Sequence, residues 1–538
     1  MIFRTRREFL RDIGVGGLTA SILPQFIFPG NVFAQSASAL KFMGTFYIGH
    51  GGTHGLELPT SRVPDSTVLS ERELGVPRFP TTPVALTSNY NIFQNSLSDF
   101  LRSDGSGGQC LNSIFDRRWV DAGLIPYMNI ITGSDIHWYY GHGYAVCGNT
   151  YTIHNSETPL SGPTLDQAIK LSPLYSPRQN DALVPAIAAH FDGNPMVRAL
   201  SNPDDITSEL VTISPNVNEV SAYNSLIGAA LNLNPDAGTR GVTQVVDDLR
   251  RLRNSSSISA ADRLALQLQE SRLLSFLEAI RENSCSFSGG VPAQPLWRQV
   301  NWNNDTDGYR AQVAQRISEY IALAASACGR PIFFSSELGA FASQGIHFSQ
   351  FGEYHENVAH YTTPNPNGSN PAPPIESRVT RIKEALVPWV AKQINDFVLP
   401  LAMELKNTPA GGGPNLLDQS LITIVFEAGH RTHEGRGLTM ITLGRAQGRL
   451  RTNQFVDLRD RTQLIDYRSN TAFINSDPLM VPNLKWVGLP YVNLANTICA
   501  AAGIPSNRYE WTSGAGFFSY RDSAHRVPSG LRINSLLL

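Results

Sequence analysis

The densest group of metal-binding side-chain types follows a short apolar run in the last quarter of the chain. The run Leu421 to Phe426 is rich in β-branched and aromatic residues, which is typical of a buried strand in a parallel sheet. The ten residues after it contain Glu427, His430, His433, Glu434 and Arg436, interleaved with glycines. Imidazole and carboxylate groups this close together predict a site for a divalent metal such as zinc. Ligands of open α/β sheets bind beyond the carboxyl ends of the strands, so this loop is expected to line a site.

The order of these side chains differs from that of the helical zinc motifs. His430 to Glu434 reads H-x-x-H-E, whereas zinc proteases carry H-E-x-x-H or H-x-x-E-H on a helix. The neighbouring glycines favour a loop. The alternative interpretation is a solvated loop whose histidines hydrogen-bond to the backbone.

A second candidate group follows the predicted strand Leu124 to Thr132. Ser134 and Asp135 come directly after it, and His137 and His142 follow within ten residues of the strand. A hydroxyl, a carboxylate and two imidazoles are the parts of a metallo-phosphohydrolase site, with Ser134 as nucleophile and Asp135 as ligand, acid or base. The alternative is that each histidine is an ordinary hydrogen-bonding partner.

Two further predicted strands are also followed by histidines. His50 and His54 lie in a glycine-rich turn after the predicted strand Lys41 to Ile48, a turn that alternatively forms only a tight corner. The strand predicted at Pro331 to Ser335 precedes a segment with more histidines, in which the i, i+5 spacing of His355 and His360 does not align two side chains on a helix face and predicts a loop. Nine of the twelve histidines fall in these four segments: His50, His54, His137, His142, His347, His355, His360, His430 and His433. Because they concentrate after strands, we expect a shared site.

The elements that must position these residues alternate between strands and helices. This alternation predicts an α/β fold, namely a three-layer α/β/α, doubly wound and mainly parallel sheet. An inserted helical hairpin is predicted at about 243–284, where Ser259 and Asp262 resemble a capping box. Residues 57 to 122 are rich in Pro, Ser, Thr and Asn and predict a long irregular excursion. Glu376 to Leu405 predicts a long helix that its prolines should kink or divide. The runs Leu438 to Leu443 and Leu484 to Val492 predict two further strands.

The composition and the N-terminal residues limit which partners and which cellular compartment the sequence supports. Over 538 residues the formal net charge is −2 and only 16% of residues are charged, which gives no support for nucleic acid as a partner. Residues 1–39 contain Arg6-Arg7-Glu8-Phe9-Leu10 near their start, followed by an apolar segment that prolines interrupt. This pattern predicts a twin-arginine export signal rather than a stable transmembrane span, and hence a periplasmic or extracellular protein. Residues 40–538 are predicted to form the α/β domain. The five cysteines leave at least one thiol unpaired within the chain.

Several short motifs, in this order, resemble those of twin-arginine-exported bacterial families of unknown function that belong to the alkaline phosphatase and sulfatase superfamily. They are the Arg6-Arg7 start, the turn Gly51 to Leu56, the run Gly162 to Gln167, the helix Val245 to Arg253 with its continuation near Ser259, the segment His355 to His360, and the loop Thr432 to Gly437. The resemblance covers most of the chain. It implies an α/β/α fold with a metal site above the sheet and hydrolysis of phosphate or sulfate esters.

Three positions depart from the pattern of those families. Related turns have aspartate where His54 stands, and a Phe-Asp-Thr-His element is replaced by Phe341 to Gln344. The related Asp-His-Gly-Arg-Gly loop reads His433-Glu434-Gly-Arg-Gly here. The ligands are therefore rearranged or lost relative to the families.

The sequence favours an exported metal-dependent hydrolase of phosphate or sulfate esters acting on a small anionic ester. The predicted metal ligands are His50, His54, His137, His142, His430, His433 and Glu434, and the predicted catalytic residues are Ser134, Asp135 and Arg436. The alternative is a non-catalytic binding or assembly protein on the same fold, with an eroded site and an exported protein as partner. A third hypothesis, a redox-associated partner, has no C-x-x-C-H haem motif in its favour.

Overall fold

The computed structural model describes the central sheet and the helices that pack on it. The described residues are 39–48, 80–135, 165–170, 175, 186–189, 198–200, 210–212, 219–228, 235–255, 259, 262–264, 266–267, 269–270, 274, 309–327, 331–338, 347–348, 350–361, 374–410, 414–426, 437–464, 486–504 and 531–538. The chain divides into two units, Met1–Ala39 and Leu40–Leu538. All the elements that follow belong to the second unit, and the predicted export signal lies outside the described residues except for its last residue, Ala39.

A ten-stranded sheet forms the centre of this unit. Its spatial order is β2 (Pro83–Thr87), β3 (Tyr90–Ser96), β15 (Gln454–Asp457), β6 (Met128–Asp135), β14 (Leu438–Leu443), β13 (Ser420–Phe426), β1 (Phe42–Ile48), β10 (Ile332–Glu337) and β7 (Ala186–Ala189), with β18 (Leu489–Pro490) paired to the end of β6. β3 and β14 run antiparallel to both of their neighbours in this order. All the other neighbouring strands of the sheet are parallel to each other. The predicted α/β class with a mostly parallel sheet is confirmed.

Shorter strands and the helices complete the described elements. The two-stranded ribbons are β4 (Arg102–Ser103) with β5 (Gln109–Cys110), β8 (Arg198–Leu200) with β9 (Leu210–Thr212), β11 (His347–Phe348) with β12 (Gly352–Glu353), and β16 (Asp460–Leu464) with β17 (Trp486–Val487). The α-helices are α1 (Arg117–Asp121), α2 (Leu165–Lys170), α3 (Glu219–Tyr223), α4 (Pro235–Arg253), α5 (Tyr309–Ala327), α6 (Ile375–Arg381), α7 (Val387–Asn407) and α8 (Tyr491–Ala501). Single turns of 3-10 helix lie at Leu97–Phe100, Ile125–Tyr127, Leu417–Gln419, Ala446–Gly448 and Asn534–Leu536.

Helices pack on both faces of the sheet. On one face, Phe46 of β1, Phe334 of β10 and Phe397 of α7 form an aromatic trio with ring centroids 5.4 to 5.8 Å apart. On β10 the next residue, Ser335, points to the opposite face, because side chains alternate along a strand. There its hydroxyl donates to Asp166 of α2 at 2.6 Å. The alternation of buried side chains therefore fixes a helix layer on each side.

Two sequence predictions about irregular structure are wrong. Within residues 57 to 122, the segments Pro83–Thr87 and Tyr90–Ser96 form β2 and β3, which extend the central sheet at one side. Both strands are short and contain polar residues, as is usual for the outermost strands of a sheet. Their sequence therefore shows little of the alternation that predicts a strand. His355–His360 is a π-helical segment, not a loop. The prediction of a loop considered only the α-helix, whereas a π-helix joins residues i and i+5 by its backbone hydrogen bonds.

The long helix predicted at Glu376 to Leu405 is divided as its prolines suggested. The π-helical segment Ile382–Leu386 separates α6 from α7, and Pro388 stands in the first turn of α7, where its missing N–H costs little. Pro400 lies inside α7 without ending it. Only the first of these two prolines therefore lies at a change of helix type.

The predicted strand boundaries hold at β1, β10, β13 and β14 within two residues, and two others shift. Pro126 lies in a 3-10 turn, so β6 begins at Met128 and extends through Asp135. The strand predicted at Leu484 to Val492 consists of two short strands, and α8 already begins at Tyr491.

The helical hairpin is held by a cap and an ion-pair cluster in the parts described. The Ser259 hydroxyl accepts from the Asp262 amide at 3.1 Å, which confirms the predicted cap. Further along, the buried carboxylate of Glu270 pairs with Arg250 of α4 at 2.6 Å and also with Arg253. The first helix starts earlier than predicted, at Pro235.

Candidate functional site

The parallel strands bring their carboxyl ends to one edge of the sheet. β1 ends at Ile48, β6 at Asp135 and β13 at Phe426, and Ile48 pairs directly with Phe426. The ends of β10 and β15 lie at the same edge. Neighbouring strands are about 4.8 Å apart, so the ends of β1 and β6, three strand steps apart, are separated by roughly 14 Å. Three of the segments predicted to carry ligands therefore leave the sheet at this edge.

A β-bulge near the end of β6 changes which way its last side chains point. Met440 of β14 pairs with Ile131, but Leu438, two residues earlier, pairs with Ser134, three residues later on β6. β6 thus has one extra residue, and Gly133 within it has a left-handed φ of 79°. The bulge shifts the alternation of side chains along β6. Ser134 therefore lies on the same face of the sheet as its partner Leu438 and as Met440.

Ser134 lies at this edge in a buried position. Its side chain is 1% exposed, between Leu438 of β14 and Leu489 of β18 in the strand register. Among the residues that the structure describes, its Oγ has no hydrogen-bond partner. Buried hydroxyls nearly always have a partner, so an open Oγ at a strand end is a position for a reacting or binding group.

The Asp135 carboxylate joins three distant parts of the chain. It is 2% exposed. Its Oδ1 accepts from the amide of Gly437 at 2.7 Å and its Oδ2 accepts from the amide of Gly488 at 3.1 Å. The predicted ligand, acid or base therefore has a backbone amide on each oxygen.

Beside Asp135, a buried ion-pair cluster ends β15. Asp457 is 1% exposed, and it accepts from Arg459 Nε at 2.7 Å and from an Arg461 terminal nitrogen at 3.0 Å. Burial alone would raise the pKa of Asp457, but the two guanidinium groups outweigh it and hold this pKa below its usual range. Because both oxygens of this carboxylate are paired with arginines, it acts as an internal counter-ion and is a poor metal ligand.

Tyr90 of β3 is buried near both of these carboxylates. Its hydroxyl donates to the carbonyl of Leu458 at 2.8 Å. Burial raises the pKa of Tyr90 well above its ordinary value, and the nearby carboxylates of Asp135, Asp460 and Asp457 raise it further. The phenol therefore stays protonated and serves as a donor at neutral pH.

A third buried carboxylate, Asp166, lies on the opposite side of the sheet from α7. Asp166, in the run Gly162 to Gln167, accepts on Oδ2 from Ser335 at 2.6 Å and from Gln167 at 2.7 Å. Its Oδ1 has no partner among the described residues. Its contacts give Asp166 the role of tying α2 to β10.

The predicted metal ligands fall outside the described residues. They are His50, His54, His137, His142, His430, His433 and Glu434, together with the predicted anion-binding Arg436. The backbone of His347, His355 and His360 is described, but their side chains are not. Within the described part of the chain, no three histidine, cysteine, aspartate or glutamate side chains come together as a metal-binding group.

Sequence reasoning missed the charged cluster around Asp457. Asp457, Arg459 and Arg461 follow the short apolar pair Phe455-Val456 at every second position. That spacing places all three on one face of an extended chain. The signal was present, but the run was too short to stand out as a strand.

Comparisons with known proteins leave the family open. No protein-family model matches the chain, and a search among curated proteins finds no match. None of the helices in the described part of the chain combines the length and apolar character needed to cross a membrane.

Proposed function

We propose that the chain is an exported, metal-dependent hydrolase of phosphate or sulfate esters on an alkaline-phosphatase-like α/β/α fold. The observation that supports this most is that β1, β6 and β13 end at one edge of the sheet. The resemblance of the short motifs supports the same reaction class. Export by the twin-arginine pathway to the periplasm or beyond belongs to the proposal.

Chain length limits how far the first histidines can lie from this edge. His50 follows Ile48 by two residues, His137 follows Asp135 by two, and His430 follows Phe426 by four. A chain spans at most about 3.6 Å per residue, which bounds these separations at roughly 7, 7 and 14 Å. Since the outer two strand ends are about 14 Å apart, the three imidazoles can reach a common centre near the end of β13.

The donor types in these segments suit a divalent metal. Neutral imidazole and carboxylate are the ligands of zinc, and His50, His54, His137, His142, His430 and His433 would hold it, with Glu434 either completing the ligands or acting as acid or base. When bound, such an ion neutralises charge on an ester oxygen. Of the described carboxylates at the edge, Asp457 is already paired with two arginines, whereas Asp135 accepts from the uncharged amides of two glycines.

The residues of the chain divide the reaction between them. Glu434 or Asp135 takes the proton of the Ser134 hydroxyl as its Oγ forms the bond to phosphorus or sulfur, and gives that proton to the ester oxygen as the bond to this oxygen breaks. Water then hydrolyses the serine ester and restores the Ser134 hydroxyl. Arg436 binds the anionic oxygens through its planar guanidinium. Burial of Ser134 among Leu438 and Leu489 excludes bulk water from the attacking oxygen.

Metal content tests the site directly. We expect the purified mature protein to contain one or two equivalents of a transition metal by mass spectrometry, and a His430→Ala, His433→Ala double variant to lose it, because two donors are removed at once. A His525→Ala variant, which alters a histidine outside the four segments, is the control. A protein folded and loaded under native export conditions that contains no metal would exclude a metallohydrolase and favour a binding or assembly protein.

Hydrolysis of p-nitrophenyl phosphate and p-nitrophenyl sulfate tests the nucleophile. We expect Ser134→Ala to lower kcat on the order of 10³-fold or more, as loss of a nucleophile does. Ser420→Ala is the matched control, because Ser420 is equally buried but lies at the opposite end of β13. Equal activity in both variants would show that Ser134 is not the nucleophile.

A further inference from the structure

We propose that Asp135 is a positioning residue, whose carboxylate holds the backbone at Gly437 and Gly488 against the end of β6. Its catalytic consequence rests on the proposed hydrolase function. The positioning itself rests only on described residues. Asp135 would thereby set the place of Ser134 beside it and of Arg436, which immediately precedes Gly437.

The carboxylate is the meeting point of three segments that are far apart in sequence. Gly437 lies 302 residues from Asp135, and Gly488 lies 353 residues from it. Each glycine amide has its own carboxylate oxygen, at 2.7 and 3.1 Å. Hydrogen bonds from amides to an ionised carboxylate are roughly twice as strong as neutral ones, so this single side chain fixes two backbone positions.

Both partners need to be glycine for reasons visible in the geometry. A Cβ on Gly488 would overlap the Asp135 carboxylate, so only glycine lets the backbone approach this closely. Gly437 has a φ of 68°, in the left-handed region that other residues rarely adopt. Glycine at each of these two positions therefore allows the backbone amide to reach the Asp135 carboxylate.

The same contacts argue against Asp135 as the acid or base. Each of its two carboxylate oxygens already accepts from a backbone amide, so a proton carried by this group would have to share an oxygen with one of those contacts. A carboxylate engaged by the backbone on both oxygens is suited to positioning, which leaves Glu434 as the better proton donor.

Two variants change this contact in different ways. Asp135→Asn replaces one acceptor oxygen with an NH₂ group, which faces an amide donor and cannot accept from it. Gly488→Ala keeps the carboxylate and its charge but displaces it. Asp418→Asn is the control, because Asp418 is also buried but precedes β13, at the opposite edge of the sheet.

Hydrogen exchange and the pH–rate profile are the two readouts. We expect both test variants, but not the control, to exchange faster in peptides that contain Gly437 and Gly488, because their amides lose an acceptor. On p-nitrophenyl esters we expect kcat to fall about 10²-fold, as a displacement of about 1 Å can cause, with both limbs of the pH profile kept.

The outcomes separate this inference from the proposed function. Unchanged exchange in both variants overturns the positioning role, whatever the activity. Loss of one limb of the pH profile in Asp135→Asn alone, with exchange unchanged, would make Asp135 the acid or base and also overturn it. Faster exchange in a protein that hydrolyses neither ester supports positioning while the hydrolase proposal fails. If Asp135→Asn does not fold, exchange in Gly488→Ala decides the positioning role by the same criterion.

Discussion

At the scale of single residues, carboxylates near the strand edge have different surroundings and therefore different roles. Asp135 accepts from backbone amides, and Asp457 accepts from arginine side chains. Asp166 is held by a serine and a glutamine on the far face. A carboxylate next to a strand end is thus not a ligand by position alone, and its existing partners decide what it can do.

Removing the charge at Asp457 should destabilise the protein. Asp457→Asn removes the charge that pairs with Arg459, which is 2% exposed, and breaking a buried pair typically costs about 3–5 kcal/mol. Urea unfolding at neutral pH measures this loss. The control Asp121→Asn breaks the exposed pair with Arg117 and should change stability by about 0.5 kcal/mol or less.

The same carboxylate predicts a pH dependence of stability. Its pKa is lowered on folding, so its contribution is complete above the unfolded value of about 3.9 and is lost as the pH falls through the folded pKa. Wild-type stability should therefore fall in this acid range more steeply than that of Asp457→Asn. Parallel curves would show that Asp457 does not titrate with folding.

Residue types alone identified part of the edge. Ser134 and Asp135 were found because they follow a strand whose pattern is plain, and the structure does put them at a strand end. The partners of Asp135 could not be found, because a glycine amide has no sequence signature and both glycines lie more than 300 residues away. The function assigned to Ser134 and to the histidines stays a prediction.

At the scale of elements, the bulge in β6 is the feature that shapes the edge. Gly133 places its backbone against Asp457 and Arg459, where a Cβ would lie 2.8 Å from the Asp457 Oδ1 and from the Arg459 Cγ. Without the extra residue, Ser134 would stay on the same face as Thr132 and Ile130. Sequence patterns predicted the strand but not the bulge, because one glycine in a strand also suits a simple end.

A substitution at the bulge should cost more than its backbone conformation explains. Gly133→Ala and Gly107→Ala both place alanine at a left-handed φ, but nothing lies within 4 Å of the new Cβ at Gly107. We expect Gly107→Ala to lose about 1–2 kcal/mol and Gly133→Ala roughly 1–3 kcal/mol more, because only the latter crowds the ion pair. Chemical denaturation of the two variants gives the difference, and equal losses would contradict this packing at the bulge.

At the scale of the whole molecule, alternation of strands and helices was enough to predict the α/β class. Long, buried strands such as β1 and β13 carry that signal, since both faces are covered by helices. The spatial order of the strands was not predictable, because β14 returns antiparallel between β13 and β6, and β15 and β18 join from late in the chain. Pairings over such distances depend on tertiary contacts that periodicity does not record.

The strand order also determines when the chain can fold during its synthesis. β6 is complete at residue 135, but its neighbours β14, β15 and β18 begin at residues 438, 454 and 489. As the chain emerges from the ribosome, the backbone groups on both sides of β6 have no neighbouring strand until more than 300 further residues have been made. Exposed strand edges invite aggregation, so the nascent protein should depend on chaperones up to the moment its last tenth is released.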